Sequence, residues 1–115
     1  MRKNTLGNGE WLKVGESLWS EDGSVEFKMQ GDGKIAVYWG GKCQYQSSRE
    51  QRNDIKGIQM QPDGNLVMYN NSDKAVWHTD TASPIGDSTV VCSVQNDGNV
   101  VLYKGTSVWA TSTQK

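Results

Sequence analysis

A nine-residue pattern returns three times along this chain, and that repetition limits the fold more than any other feature. It reads Gln61-Pro62-Asp63-Gly64-Asn65-Leu66-Val67-Met68-Tyr69 in the middle and Gln95-Asn96-Asp97-Gly98-Asn99-Val100-Val101-Leu102-Tyr103 near the end. An altered copy, Gln30-Gly31-Asp32-Gly33-Lys34-Ile35-Ala36-Val37-Tyr38, comes first, with Lys34 and Ala36 where the others have Asn and Val. Copies spaced at about thirty residues indicate a repeat architecture.

Each copy spells out a β-hairpin. An Asp-Gly pair between alternating apolar residues is a strong hairpin signal, and Pro62-Asp63-Gly64 suits a three-residue loop whose last residue is left-handed. In that register Gln61 faces Asn65, Gln59 faces Val67 and Gly57 faces Tyr69 on one side of the sheet. Met60 then opposes Leu66, and Ile58 opposes Met68, on the other. The same alternation turns Val94, Val100, Cys92 and Leu102 inward in the third copy, and Met29, Ile35, Phe27 and Val37 inward in the first. The outward row of Gln, Asp, Asn, Val and Tyr is not needed for a sheet to fold. Its chemistry suits a sugar: amides, a carboxylate and a phenol for hydroxyls, and a small apolar side chain for the C–H face of the ring.

The pattern Gln-x-Asp-x-Asn-x-Val-x-Tyr resembles the signature of the bulb-type, or monocot-type, mannose-binding lectins, at all five positions in two copies and at three in the first. The resemblance covers nearly the whole chain. Asn4-x-Leu6 with Leu12, Gly15, Ser17 and Leu18 is similar to the family's opening strand, and Val76-Trp77-His78-Thr79 and Val108-Trp109-Ala110-Thr111 to its Trp-bearing strand.

This resemblance implies an all-β fold, a β-prism of the second type, with three antiparallel four-stranded sheets about a pseudo-threefold axis. Tyr45, Trp77 and Trp109 would meet near that axis. Residues 1–115 would form one domain of three repeats. The resemblance also implies roles. Gln61 would bond the 3-hydroxyl of mannose, Asp63 and Asn65 the axial 2-hydroxyl, Tyr69 the 4-hydroxyl, and Val67 would lie against the ring carbons. Gln95, Asp97, Asn99, Tyr103 and Val101 would do the same in the third repeat. In the first, Gln30, Asp32, Lys34 and Tyr38 form a degenerate set: Lys34 loses the amide and Ala36 part of the ring contact. Those residues are remnants that serve folding, or Lys34 pairs with Asp32, or the site is altered for an anionic sugar. Family members often pair by exchanging a C-terminal strand, and residues 106 to 113 could form a homodimer that way.

Other classes of function find little support. A net charge of −1 offers no basic patch for nucleic acid or an anionic membrane, and no apolar run is long enough to span a bilayer. His78 is the one histidine, and no nucleophile elbow or phosphate loop accompanies it, so it reads as a surface strand residue and the chain as no enzyme. Asp32, Asp63 and Asp97 lie in separate repeats without the carboxylate ladder of a calcium loop, so binding is expected to need no cofactor or metal. The alternative function is a structural or protein-interaction module on the same fold that has lost sugar binding.

The remaining segments are read more simply. Basic residues at the start are followed by no apolar h-region, so no signal peptide is expected, which favours a cytoplasmic or non-classically secreted protein. Residues 10 to 29 read as two strands, Glu10 to Leu18 and Ser24 to Met29, around a turn at Glu21-Asp22-Gly23. Core packing is the default for Trp11 and Trp19. Residues 48 to 56 and 80 to 88 read as connectors, and Asn70-Asn71-Ser72 as a plain turn despite its glycosylation pattern. Cys43 and Cys92 are expected as free thiols, Cys92 in the core.

Overall fold

The computed structural model describes residues 3–47, 51–79, 90–104, 106–111 and 113. Its strands are β1 (Thr5–Leu6), β2 (Trp11–Lys13), β3 (Ser17–Trp19), β4 (Glu26–Met29), β5 (Ile35–Trp39), β6 (Lys42–Gln46), β7 (Ile55–Met60), β8 (Leu66–Asn70), β9 (Ala75–His78), β10 (Val91–Val94), β11 (Val100–Lys104) and β12 (Thr106–Ala110). They form three four-stranded antiparallel sheets, ordered β3-β4-β5-β6, β2-β7-β8-β9 and β1-β10-β11-β12, and the described residues contain no helix. This is the arrangement expected of a β-prism of the second type.

Each signature hairpin occupies the middle of one sheet, in the register that alternation requires: Met60 opposes Leu66, Ile58 Met68, Gln59 Val67 and Gly57 Tyr69. The turns are the same three times over. Gly33, Gly64 and Gly98 have φ of 83°, 89° and 93°, and each donates its N–H to the carbonyl of the signature Gln at 3.0–3.1 Å. A left-handed residue closing the loop explains why glycine stands there.

The inward rows make one interior. Phe27, Met29, Ile35 and Val37, then Ile58, Met60, Leu66 and Met68, then Cys92, Val94, Val100 and Leu102 are all at most 2% exposed. Alternation of period two delivers one side chain in two to that interior. Both cysteines are free, Cys92 buried and Cys43 exposed. Tyr45, Trp77 and Trp109 do meet: Trp109 packs edge to face against Tyr45 at 6.3 Å and against Trp77 at 6.0 Å. They are partly rather than fully buried, and edge-to-face packing suits the ring quadrupoles.

One expectation is corrected. Glu10 to Leu18 is not one strand but two, β2 and β3, which enter different sheets. The break comes at Gly15, with φ 90°, where the Glu16 N–H donates to the Lys13 carbonyl at 2.9 Å. The first three strands of the chain therefore supply one outer strand to each sheet, in reverse order of the repeats.

Residues 51–54 of the first connector lie at the surface, whereas Ile55 and Lys56 already belong to β7. Arg52 holds Asp54 through two hydrogen bonds, 2.9 and 2.8 Å, and its N–H donates to the Asp32 carbonyl at 2.7 Å, which lays this segment on the first turn. A cavity of about 580 Å³, lined by Gly31, Asp32 and residues 51–54, lies beside that contact. Residues 48–50 and the connector 80–88 lie outside the described residues. Asn70 accepts the N–H groups of Ser72 and Lys74, each at 2.9 Å, so Asn70-Asn71-Ser72 is a turn closed by its own side chain.

Candidate functional site

On the outer face of each sheet the signature side chains form one cluster. Asp32, Asp63 and Asp97 use Oδ1 to accept the N–H two residues on, at 3.1, 2.9 and 3.0 Å, an Asx turn that fixes the carboxylate and leaves its second oxygen as an acceptor. The amides of Gln30, Gln61 and Gln95 donate to the phenols of Tyr38, Tyr69 and Tyr103. Since Gln61 opposes Asn65, its bond to Tyr69 passes over Val67, and the other two repeats repeat this arrangement. Val67 and Val101 are accordingly only 3% exposed, and Ala36 not at all. The valines are thus buried between the Gln and the Tyr of each intact copy.

The Asn of each intact copy is held by a residue that the sequence reading did not single out. Thr79 Oγ1 accepts the Leu66 N–H at 3.2 Å and donates to Asn65 Oδ1 at 2.9 Å. Thr111 Oγ1 accepts the Val100 N–H at 3.0 Å and donates to Asn99 Oδ1 at 3.0 Å. The Thr113 N–H adds a second donor to Asn99 Oδ1 at 3.2 Å. With the amide oxygen engaged, Nδ2 is the donor end of the amide, on the same turn as the Asp carboxylate that accepts the backbone N–H of that Asn. One donor and one anionic acceptor are the pair that a single hydroxyl group can satisfy at once. The signal in the sequence was the aligned column Ser47, Thr79 and Thr111, two residues after each inward aromatic.

The first copy keeps the frame and lacks this donor. Ser47 Oγ accepts the Ile35 N–H at 3.1 Å, as the threonines do elsewhere, but Lys34 takes the place of the Asn and is 8% exposed. Among the described residues Lys34 forms no ion pair with Asp32; their bond is the Lys34 N–H to the Asp32 carboxylate. Gln30 Oε1 is buried without a hydrogen-bond partner. Gln30, Asp32 and Tyr38 make the same bonds to neighbouring protein groups as their counterparts in the other two copies.

Each signature Tyr also sits where the register shifts, between Val37 and Tyr38, Met68 and Tyr69, and Leu102 and Tyr103. A bulge of this kind re-aims the side chain beside it. The flanks of the clusters differ. Across the second sheet Trp11, Gln59, Val67 and His78 stand in one row; across the third the row is Thr5, Ser93, Val101 and Ala110. Trp11 is thus on the outer face, 5.7 Å from Tyr69 and under the Lys56 ammonium at 5.0 Å, not in the core. Leu12 beside it takes the inward position, and alternation sends Trp11 out. His78 is exposed, as expected, but its Nδ1 lies 3.3 Å from Asn65 Nδ2.

Comparison with known proteins identifies the family. No family model matches the chain. It is 34% identical to the B-type lectin plumieribetin of Scorpaena plumieri over 114 residues, 97% of each chain. It is 32% identical to a mannose-specific lectin of Aloe arborescens, over 96% of this chain and 97% of that one. Among solved structures, the snowdrop (Galanthus nivalis) mannose-specific agglutinin complexed with methyl-α-D-mannoside superposes with a TM-score of 0.75 at 37% identity, covering 98% of this chain and 99% of its own. Similarity of sequence and of fold along the full length, together with the repeated outer-face cluster, shows that the chain belongs to the bulb-type, or monocot-type, mannose-binding lectin family.

Proposed function

We propose that residues 1–115 act as one lectin domain of three repeats that binds terminal mannose, alone or on high-mannose glycans, at the second and third repeats and not at the first. The observation that carries this reading is an Asn amide oriented by a Thr hydroxyl, on a turn where an Asp carboxylate accepts the N–H of that same Asn, at Asn65 with Asp63 and at Asn99 with Asp97. An axial 2-hydroxyl can accept from the amide and donate to the carboxylate. The equatorial epimer leaves both unsatisfied, which is how a polar site rejects a near-isostere. Gln61 and Tyr69, or Gln95 and Tyr103, would turn from each other to the 3- and 4-hydroxyls, opening Val67 or Val101 to the ring carbons.

Lectins bind sugars without transforming them, and this chain is no enzyme. The binding requires no calcium, since amide, phenol and single carboxylate groups supply every contact, so chelator leaves it unchanged. Each shallow pocket recovers little beyond the cost of immobilising a sugar, and multivalency supplies strength. β12 lies on β11 of its own chain; exchange of that strand between two chains would bring four pockets together. Calorimetric titration with methyl-α-mannoside tests the reading. Two sites per chain are expected, and no heat of binding would favour an interaction module without a sugar ligand.

A further inference from the structure

The second and third pockets share the signature but not the residue at its edge. In register with Val67 stands His78, and in register with Val101 stands Ala110. His78 reaches the amide that the proposed function assigns to the sugar.

The hydrogen bonds determine how. Thr79 Oγ1 accepts from the Leu66 N–H, so its own proton goes to Asn65 Oδ1. That orients Nδ2 toward His78 Nδ1, 3.3 Å away. Nδ2 is a donor only, so Nδ1 must be the acceptor and the imidazole proton must lie on Nε2. Protonation of the ring puts a second N–H on Nδ1, directly against the Asn65 amide hydrogens, and adds a positive charge. The acceptor becomes a repelling donor. Asn65 can keep its place or its bond to Thr79, but not both.

We propose that His78 is a positioning residue that makes sugar binding at the second pocket pH-dependent, so that acidification weakens the second pocket relative to the third. This rests on the mannose-binding reading above. Imidazole is the side chain whose ordinary change of charge falls between about pH 5 and 8. Among the described residues, the other titratable groups presented to this face are Asp63 from the turn and Tyr69 from β8, with Lys13 of β2 and Lys56 of β7, the latter paired with Asp73 at 2.8 Å, further across the sheet. His78 is the one histidine in the chain, so a transition in the imidazole range has one source. In a bivalent chain, a weaker second pocket lowers the strength of crosslinking by more than it lowers the binding of a single sugar.

The test uses chains with one pocket removed. Asn99→Asp leaves the second pocket and Asn65→Asp the third, and each is titrated with methyl-α-mannoside at about pH 7.5 and about pH 5, either side of the imidazole transition. The second pocket is expected to weaken by about three- to tenfold, the worth of one hydrogen bond, and the third not to change. Adding His78→Ala to Asn99→Asp should abolish the pH dependence. His78→Gln, whose carbonyl oxygen accepts at any pH, should keep the affinity of neutral pH throughout. An unchanged second pocket, an equal fall at the third, or a pH dependence that survives His78→Ala would overturn the proposal. NMR of the Asn65 side-chain amide, without sugar, reads the contact itself and should titrate together with the His78 ring. An amide that ignores pH in a protein that binds mannose overturns the role of His78 alone. Absence of mannose binding in both single-pocket variants at neutral pH overturns the function and the pH dependence of its second pocket with it.

Discussion

The first and second repeats share a frame and differ in what the frame displays. Both have the same glycine-closed turn, the same Asp capping the N–H two residues on, the same Gln–Tyr bond and the same register shift before the Tyr. Yet the first displays Lys34 over Ala36, and the second Asn65 over Val67. The comparison divides the signature in two. Gln, Asp and Tyr make the same frame bonds in every copy, whereas the proposed function gives recognition to the Asn and Val that only two copies have.

The largest effect expected from that division is loss of function without loss of fold. Changing Asn65 and Asn99 together to Asp replaces each amide donor by a carboxylate beside an existing carboxylate, so mannoside binding should vanish in calorimetry while the circular dichroism spectrum stays that of the native protein. Wild-type binding by this double variant would break the division between frame and display.

Next come the inward counterparts, which should cost stability in proportion to what each repeat buries. Phe27, Ile58 and Cys92 occupy equivalent positions, all fully buried. In urea unfolding, Phe27→Ala should cost about 3–5 kcal/mol, Ile58→Ala about 2–5, and Cys92→Ala about 1. Cys92 adds a pH effect of its own. Burial pushes its thiol up from 9.0 to about 12, so above pH 9 the unfolded chain gives up a proton that the folded chain keeps. The folded state then binds more protons than the unfolded one, and stability falls as pH rises from 9 towards 12, by up to roughly 1.4 kcal/mol per unit. Cys92→Ala should remove that slope.

A smaller pair of effects separates frame from display at a single residue type. Asp32→Ala and Asp63→Ala should each cost about 1 kcal/mol of stability, since each frees one backbone N–H. Only Asp63→Ala should also weaken sugar binding. Equal effects on binding would show that the first repeat takes part.

Restoration of the first pocket is expected to act on stoichiometry more than on stability. Lys34→Asn with Ala36→Val should shift stability by less than about 1.5 kcal/mol, because valine fits the equivalent position twice elsewhere. The stoichiometry of mannoside binding should rise from two towards three, with Ser47 taking the part of Thr79 and Thr111. A stoichiometry that stays at two would place the defect in the wall of the first pocket, not in those two residues.

Local chemistry wrote the hairpins into the chain. Asp-Gly at each turn, alternation on either side and the positive φ that glycine accepts are properties of neighbouring residues, so Gln61 facing Asn65 and Phe27, Ile58 and Cys92 facing inward were legible without coordinates. Partner choice between distant strands is not local. That Glu10 to Leu18 divides at Gly15 between two sheets, that Trp11 lies against Tyr69, and that Thr79 and Thr111 grip the Asn amides all depend on strands brought together over tens of residues. The bulge beside each Tyr belongs to the same class, since one extra residue on the facing strand has no signature in the strand it affects. His78 shows the difference most plainly: as a residue it was an exposed histidine on a strand, and only the pairing of β9 with β8 put its ring nitrogen beside Asn65.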